Sequence, residues 1–127
     1  MIVLDENIRD SHADLLRKDG IANRKIGADL TSKGTSDSDI IPLLHRLKQP
    51  TFFTHDVDFW RPDLSHANYC IVHLAVKPRE AAFYIRRVLR HAQFATAAKR
   101  LGKVIQVHPN GISVYRSRYA KPVAVEW

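Results

Sequence analysis

The sequence predicts an α/β domain: a mostly parallel central sheet flanked by helices, finished by a C-terminal antiparallel hairpin. Three observations carry that prediction. Short apolar runs (Met1–Leu4, Thr51–Thr54, Tyr69–Val76, Lys103–His108) alternate with stretches whose apolar residues recur at helical spacing. Two of the runs close in carboxylates, Asp5-Glu6 after the first and Asp56 and Asp58 after the second. Open α/β sheets build their sites outside such strand ends. Finally, Pro109-Asn110-Gly111 stands between two apolar segments and reads as a hairpin turn.

Each element follows in order. Residues 1–5 form a buried strand, and Glu6 or Asn7 opens a helix with Ile8, Ala13, Leu15 and Leu16 as its inner stripe. Gly20 stops that helix with a left-handed residue. Residues 21–26 form a weak second strand, and the turn-rich residues 27–36 form a loop. Ser36-Asp37-Ser38-Asp39 starts a helix that runs to about Leu47 over Ile40, Ile41, Leu43 and Leu44. Pro42 fits only in the first turn of that helix, where the amide it lacks would be unpaired anyway. Thr51–Thr54 is a strand, residues 59–68 a loop, and Tyr69–Val76 a strand ended by Lys77-Pro78. The longest helix spans Arg79 to Leu101, with Phe83, Ile85, Val88, Leu89 and Ala92 inward and Arg86, Arg87, Arg90, Lys99 and Arg100 outward. Lys103–His108 and Ile112–Tyr115 make the hairpin. The domain covers residues 1–116, and residues 117–127 are a basic and apolar tail.

A chain of 127 residues is one domain with room for one real core. Its charge is unevenly spread. Residues 1–63 hold eleven acids against nine Lys/Arg, whereas residues 64–127 hold two acids against eleven. That asymmetry favours a polyanionic partner through phosphate contacts and counterion release. The single Cys70 excludes an internal disulfide and fits a reducing compartment. Nothing reaches the roughly 20 apolar residues of a membrane span, and no basic segment precedes the first apolar run, so a cytoplasmic protein is expected.

The acids are the chemical signal. Asp5, Asp37, Asp56 and Asp58 lie at predicted strand ends or at a helix start. Carboxylates gathered there repel one another unless a cation holds them, and oxygen-only ligation suits magnesium or manganese. Such an ion orients water and polarises a phosphate, which points to chemistry on a phosphate backbone. Asp39 has a second task open to it, since Ser36-x-x-Asp39 matches a capping box. Asp56 and Asp58, two apart in an extended segment, share a face. The histidines form no His-x-x-x-His pair, no Cys-x-x-Cys occurs, and no phosphate loop or nucleophile motif is present.

Leu4-Asp5-Glu6-Asn7-Ile8, Ser36-Asp37-Ser38-Asp39-Ile40-Ile41 and Thr54-His55-Asp56-Val57-Asp58-Phe59, in this order, resemble the PIN-like family of short bacterial toxin-type ribonucleases, similar in logic to VapC toxins. The later strand, long helix, strand and hairpin fit as well, to about Arg116. The resemblance implies a PIN-like fold and a magnesium- or manganese-dependent ribonuclease, the toxin of a toxin–antitoxin pair. It implies Asp5, Asp37, Asp56 and Asp58 as the acidic site, with Glu6 and Asp39 less central. RNA and an antitoxin are the implied partners, and a homodimer is open through the tail. By charge, Lys77, Arg79, Arg86, Arg87 and Arg90 are candidates for RNA phosphates. Ser38 and Asp39 stand where the family pattern has a pair of glutamates, so the middle ligand is Asp37 or Asp39, with Asp37 preferred. Two other readings remain: a PIN-like nucleic-acid-binding module without activity, and a receiver-like domain phosphorylated on Asp56. The last parallel strand closes on His108-Pro109, without the lysine a receiver resembles having there.

Overall fold

A computed structural model describes residues 1–31 and 33–127. Its frame is a seven-stranded sheet: β1 (Ile2–Leu4), β2 (Arg24–Lys25), β3 (Thr51–Thr54), β4 (Cys70–Leu74), β5 (Val104–His108), β6 (Gly111–Tyr115) and β7 (Val123–Val125). The spatial order is β2-β1-β3-β4-β5-β6-β7. The first five pair in parallel, and β6 and β7 continue the sheet antiparallel. The helices are α1 (Asp10–Lys18), α2 (Asp37–Arg46), α3 (Ala81–Arg90) and α4 (Ala97–Arg100).

Both faces of the central strands are covered, which is why β3 and β4 are buried at every residue. Alternate side chains feed two cores. Leu4, Phe53, Cys70, Val72 and Ile105 pack with Leu16 of α1 and Ile85 and Val88 of α3. Val3, Phe52, Ile71 and Val104 pack with Ile40, Leu43 and Leu44 of α2 on the other side. Three of the four parallel connections thus carry α-helices that pack on the sheet, while β3 and β4 are joined by short 3-10 turns; α2 brings its N-terminus to the C-terminal end of the strands.

Four details differ from the sequence-based expectation. First, α1 begins at Asp10, later than Glu6 or Asn7, because Ile8 closes a turn on the Asp5 carbonyl (3.0 Å) and the Asn7 side chain accepts from the His55 amide (3.4 Å). Its inner stripe includes His12 rather than Leu15, which is 45% exposed.

Second, Pro42 lies inside α2 beyond its first turn. Pro42 and Ser38 are both exposed, so water can serve the carbonyl that the proline leaves without a donor.

Third, the long helix from Arg79 to Leu101 is two helices. Phe94, 1% exposed, plugs the core between them, and the buried Arg100 guanidinium donates to the Phe94 carbonyl (2.9 Å) and to the Thr51 hydroxyl (2.8 Å). Thr96 then caps α4 by accepting from the Lys99 amide (3.2 Å). Phe83, expected inside, is 52% exposed, and Tyr84 faces the core instead.

Fourth, the tail contributes β7, which pairs with β6 through Ile112–Val125, Ser113–Ala124 and Val114–Val123. Among the described residues, no helix is long and apolar enough to cross a membrane.

Candidate metal centre

The chain leaves β1 for β2 on one side and returns through β3 on the other, so a crevice opens where the strand order reverses. At that switch point Asp37, Asp56 and Asp58 each offer a carboxylate oxygen, all within 4.8 Å of one another. Asp37 arrives on the first residue of α2. Asp56 follows β3 and accepts from the Asp58 amide (2.9 Å), which starts a single 3-10 turn over Val57–Phe59. The two aspartates therefore meet by a turn, not by alternation in a strand. Phe59 is buried against Phe52, ring centroids 5.2 Å apart, and holds that turn to the core.

Asp5 is not a member of the group. It is 7% exposed, and its oxygens accept from the Glu6 amide (2.7 Å) and the Thr54 hydroxyl (2.6 Å). The same Thr54 hydroxyl accepts from the Asp56 amide (3.0 Å). Asp5 therefore positions Asp56 through one side chain. Nothing in the sequence pattern singled out Thr54; its signal was only its place between an apolar strand and an acid.

Burial pushes the Asp5 carboxyl above its ordinary value, against the hydrogen bonds from Thr54 and Glu6, and the charge of Asp56 adds to the rise. Asp37 is also raised: first by partial desolvation, then by a hydrogen bond with Asp56 and by the charges of Asp56, Asp5 and Asp58. Carboxylates that crowd one another in this way are relieved by a cation between them. An all-oxygen set of aspartates fits magnesium or manganese.

The remaining expected ligands are engaged elsewhere. Both Glu6 oxygens accept from the Gly34 amide (3.1 and 3.0 Å), tying the loop after β2 to the end of β1. Asp39 accepts from the Ser36 hydroxyl (2.9 Å), so the serine donates to the acid instead of capping the helix. Of the two middle candidates, Asp37 is the one whose carboxylate lies with those of Asp56 and Asp58.

The basic residues divide. Arg86 is paired with Asp19 (2.7 Å), and the Arg87 guanidinium lies 4.1 Å from the Trp127 ring. Arg79 and Arg90 are exposed. Lys77 lines a cavity of about 500 Å³ with His55, His73, Glu80 and Pro109 at the same end of the sheet. The His55 Nδ1 lies 3.3 Å from the Leu74 carbonyl, and its buried Nε2 has no partner. Burial of Cys70 pushes its thiol up to about 12, which leaves it inert.

No family model, no curated protein and no solved structure matches the chain.

Proposed function

We propose that this chain is a metal-dependent ribonuclease of the PIN-like toxin type, hydrolysing RNA phosphodiesters in the cytoplasm under the control of an antitoxin protein. The observation that carries the reading is the convergence of Asp37, Asp56 and Asp58 at the switch point of a parallel sheet. Those three would hold Mg²⁺ or Mn²⁺. When bound, the ion supplies an activated water and offsets charge on the phosphate. The chain's own residues do the rest. Thr54 and Asp5 fix the Asp56 backbone, the Phe59 anchor fixes Asp58, and α2 delivers Asp37. Exposed Arg79 and Arg90, with Lys77 beside the second cavity, offer charge for the RNA backbone.

The test is cleavage of a mixed RNA by purified protein in Mn²⁺, Mg²⁺ and EDTA, with Asp37→Asn and Asp56→Asn beside the wild type. The expected result is metal-dependent cutting that leaves 5′-phosphate and 3′-hydroxyl ends and falls by at least about a hundredfold in each variant. Ends carrying 2′,3′-cyclic phosphate, or cutting that persists in EDTA, would overturn the reading.

One observation favours a second reading. The order β2-β1-β3-β4-β5 is that of flavodoxin-like sheets, in which an aspartate after β3 can accept a phosphoryl group. Against it, β5 ends at His108 with no lysine. Incorporation of phosphate from acetyl phosphate at Asp56 would support it.

A further inference from the structure

Beside the three aspartates lies a cavity of about 680 Å³ that shares Asp37 and Asp58 with them. Its volume is in the ~300–1,000 Å³ range of small-molecule sites. Ile41, Val57 and Leu64 make an aliphatic wall, and Val57 is 60% exposed there. Arg61 lines the same cavity and carries its only cation among the described residues. Its guanidinium is held by Asp63 at both ends of the fork, with Nε donating to Oδ1 (3.0 Å) and Nη2 to Oδ2. Asp63 offsets the charge of Arg61 and fixes the plane of its guanidinium. A cation so paired is a poor phosphate clamp and a good flat surface, and bases stack on guanidinium planes.

From these features we infer that the cavity takes an unpaired nucleobase, packed between the Arg61 guanidinium and the aliphatic wall, from the nucleotide whose phosphate meets Asp37, Asp56 and Asp58. This assignment rests on the ribonuclease reading and adds to it a base-binding subsite, with Arg61 as its stacking residue. Apolar walls next to carboxylates suit a planar heterocycle with a phosphate at one end. A base-paired strand would keep its bases stacked inside the duplex and could not enter.

Calorimetric titration of the full chain in Mn²⁺ with AMP, UMP and ribose 5-phosphate tests the assignment. The nucleotides are expected to bind about tenfold more tightly than ribose 5-phosphate, the size of effect one stacked base supplies. In Arg61→Ala/Asp63→Asn, which removes the plane without leaving Asp63 unpaired, that advantage is expected to vanish while ribose 5-phosphate binds as before. Arg61→Lys, which keeps charge but not the plane, is expected to lose it too. Equal affinity for all three ligands in the wild type, or an advantage that survives Arg61→Ala/Asp63→Asn, would overturn the subsite. The two failures stay separable. Nucleotide binding without any RNA cleavage overturns the ribonuclease and keeps the pocket. RNA cleavage with equal affinity for AMP, UMP and ribose 5-phosphate does the reverse.

Discussion

At the scale of single residues, the centre depends on a hydroxyl. Thr54 donates to Asp5 and accepts from the Asp56 amide, so a buried acid is coupled to a half-buried one through one oxygen. Thr54→Val keeps shape and β-branching but leaves the Asp5 oxygen and the Asp56 N–H unpaired. The expected loss is about 2 kcal/mol, on the scale of one to two unsatisfied buried groups. Urea unfolding should show a lower midpoint at unchanged slope. Stability equal to wild type would mean that the hydroxyl has no such bridging role. Asp5 itself was prominent in the sequence because it ends an apolar run. Thr54 was not, because a threonine at a strand end is ordinary and its two partners are distant in sequence or pair through the backbone.

Among the elements, the loop after β2 is held by an interaction that no propensity scale contains. Glu6 reaches across to the Gly34 amide, and Gly27 gives it room. Gly27 has φ +85°, and a Cβ there would come within 2.9 Å of the Glu6 carboxylate. Gly20 has φ +81° with nothing within 4 Å. Gly20→Ala should therefore cost only the left-handed backbone, about 1–2 kcal/mol, whereas Gly27→Ala should cost more and release Glu6 from Gly34. Thermal melts of the two variants check the ranking, and equal losses would remove Glu6 from the account. The broken helix teaches the same lesson. Residues 79–101 read as one amphipathic stretch, yet the helix breaks after Arg90, where Phe94 turns into the core and the buried Arg100 donates to its carbonyl.

For the whole molecule, the acids are concentrated in the first half of the chain, and three of them meet at one end of the sheet. The consequence is a pH-dependent stability whose sign can be worked out. Asp37 and Asp5 are raised above 3.8, so the folded protein holds protons there that the unfolded chain has released. Without a cation, that contribution is fully present below 3.8 and is lost as pH rises through the raised values. His12, His55 and His73 are lowered by burial below 6.5, which works the other way: their contribution is present above 6.5 and lost as pH falls through the lowered values. Manganese binds only ionised carboxylates, so its stabilisation must grow as Asp37 gives up its proton. The rise in melting temperature on adding Mn²⁺ should be larger at pH 7.5 than at pH 4.5, and should be absent in Asp37→Asn at both. An equal rise at the two pH values would show that the ion binds elsewhere.

The sequence by itself determined the α/β class, the four main parallel strands, the start of α2 and the closing hairpin. Each follows from local periodicity and turn chemistry, which a one-dimensional string carries in full. It also determined which acids stand at strand ends. Only the tertiary structure decided that Asp37, rather than Asp39, joins Asp56 and Asp58, and that Asp5 stands behind them as a support. It alone decided that Glu6, Arg86 and Arg87 have partners within the fold, that residues 123–125 extend the sheet, and that α3 ends at Arg90. The reason is physical. These outcomes are competitions between contacts far apart in the chain, and their winner is set by which groups the packed sheet and helices bring within a few ångströms.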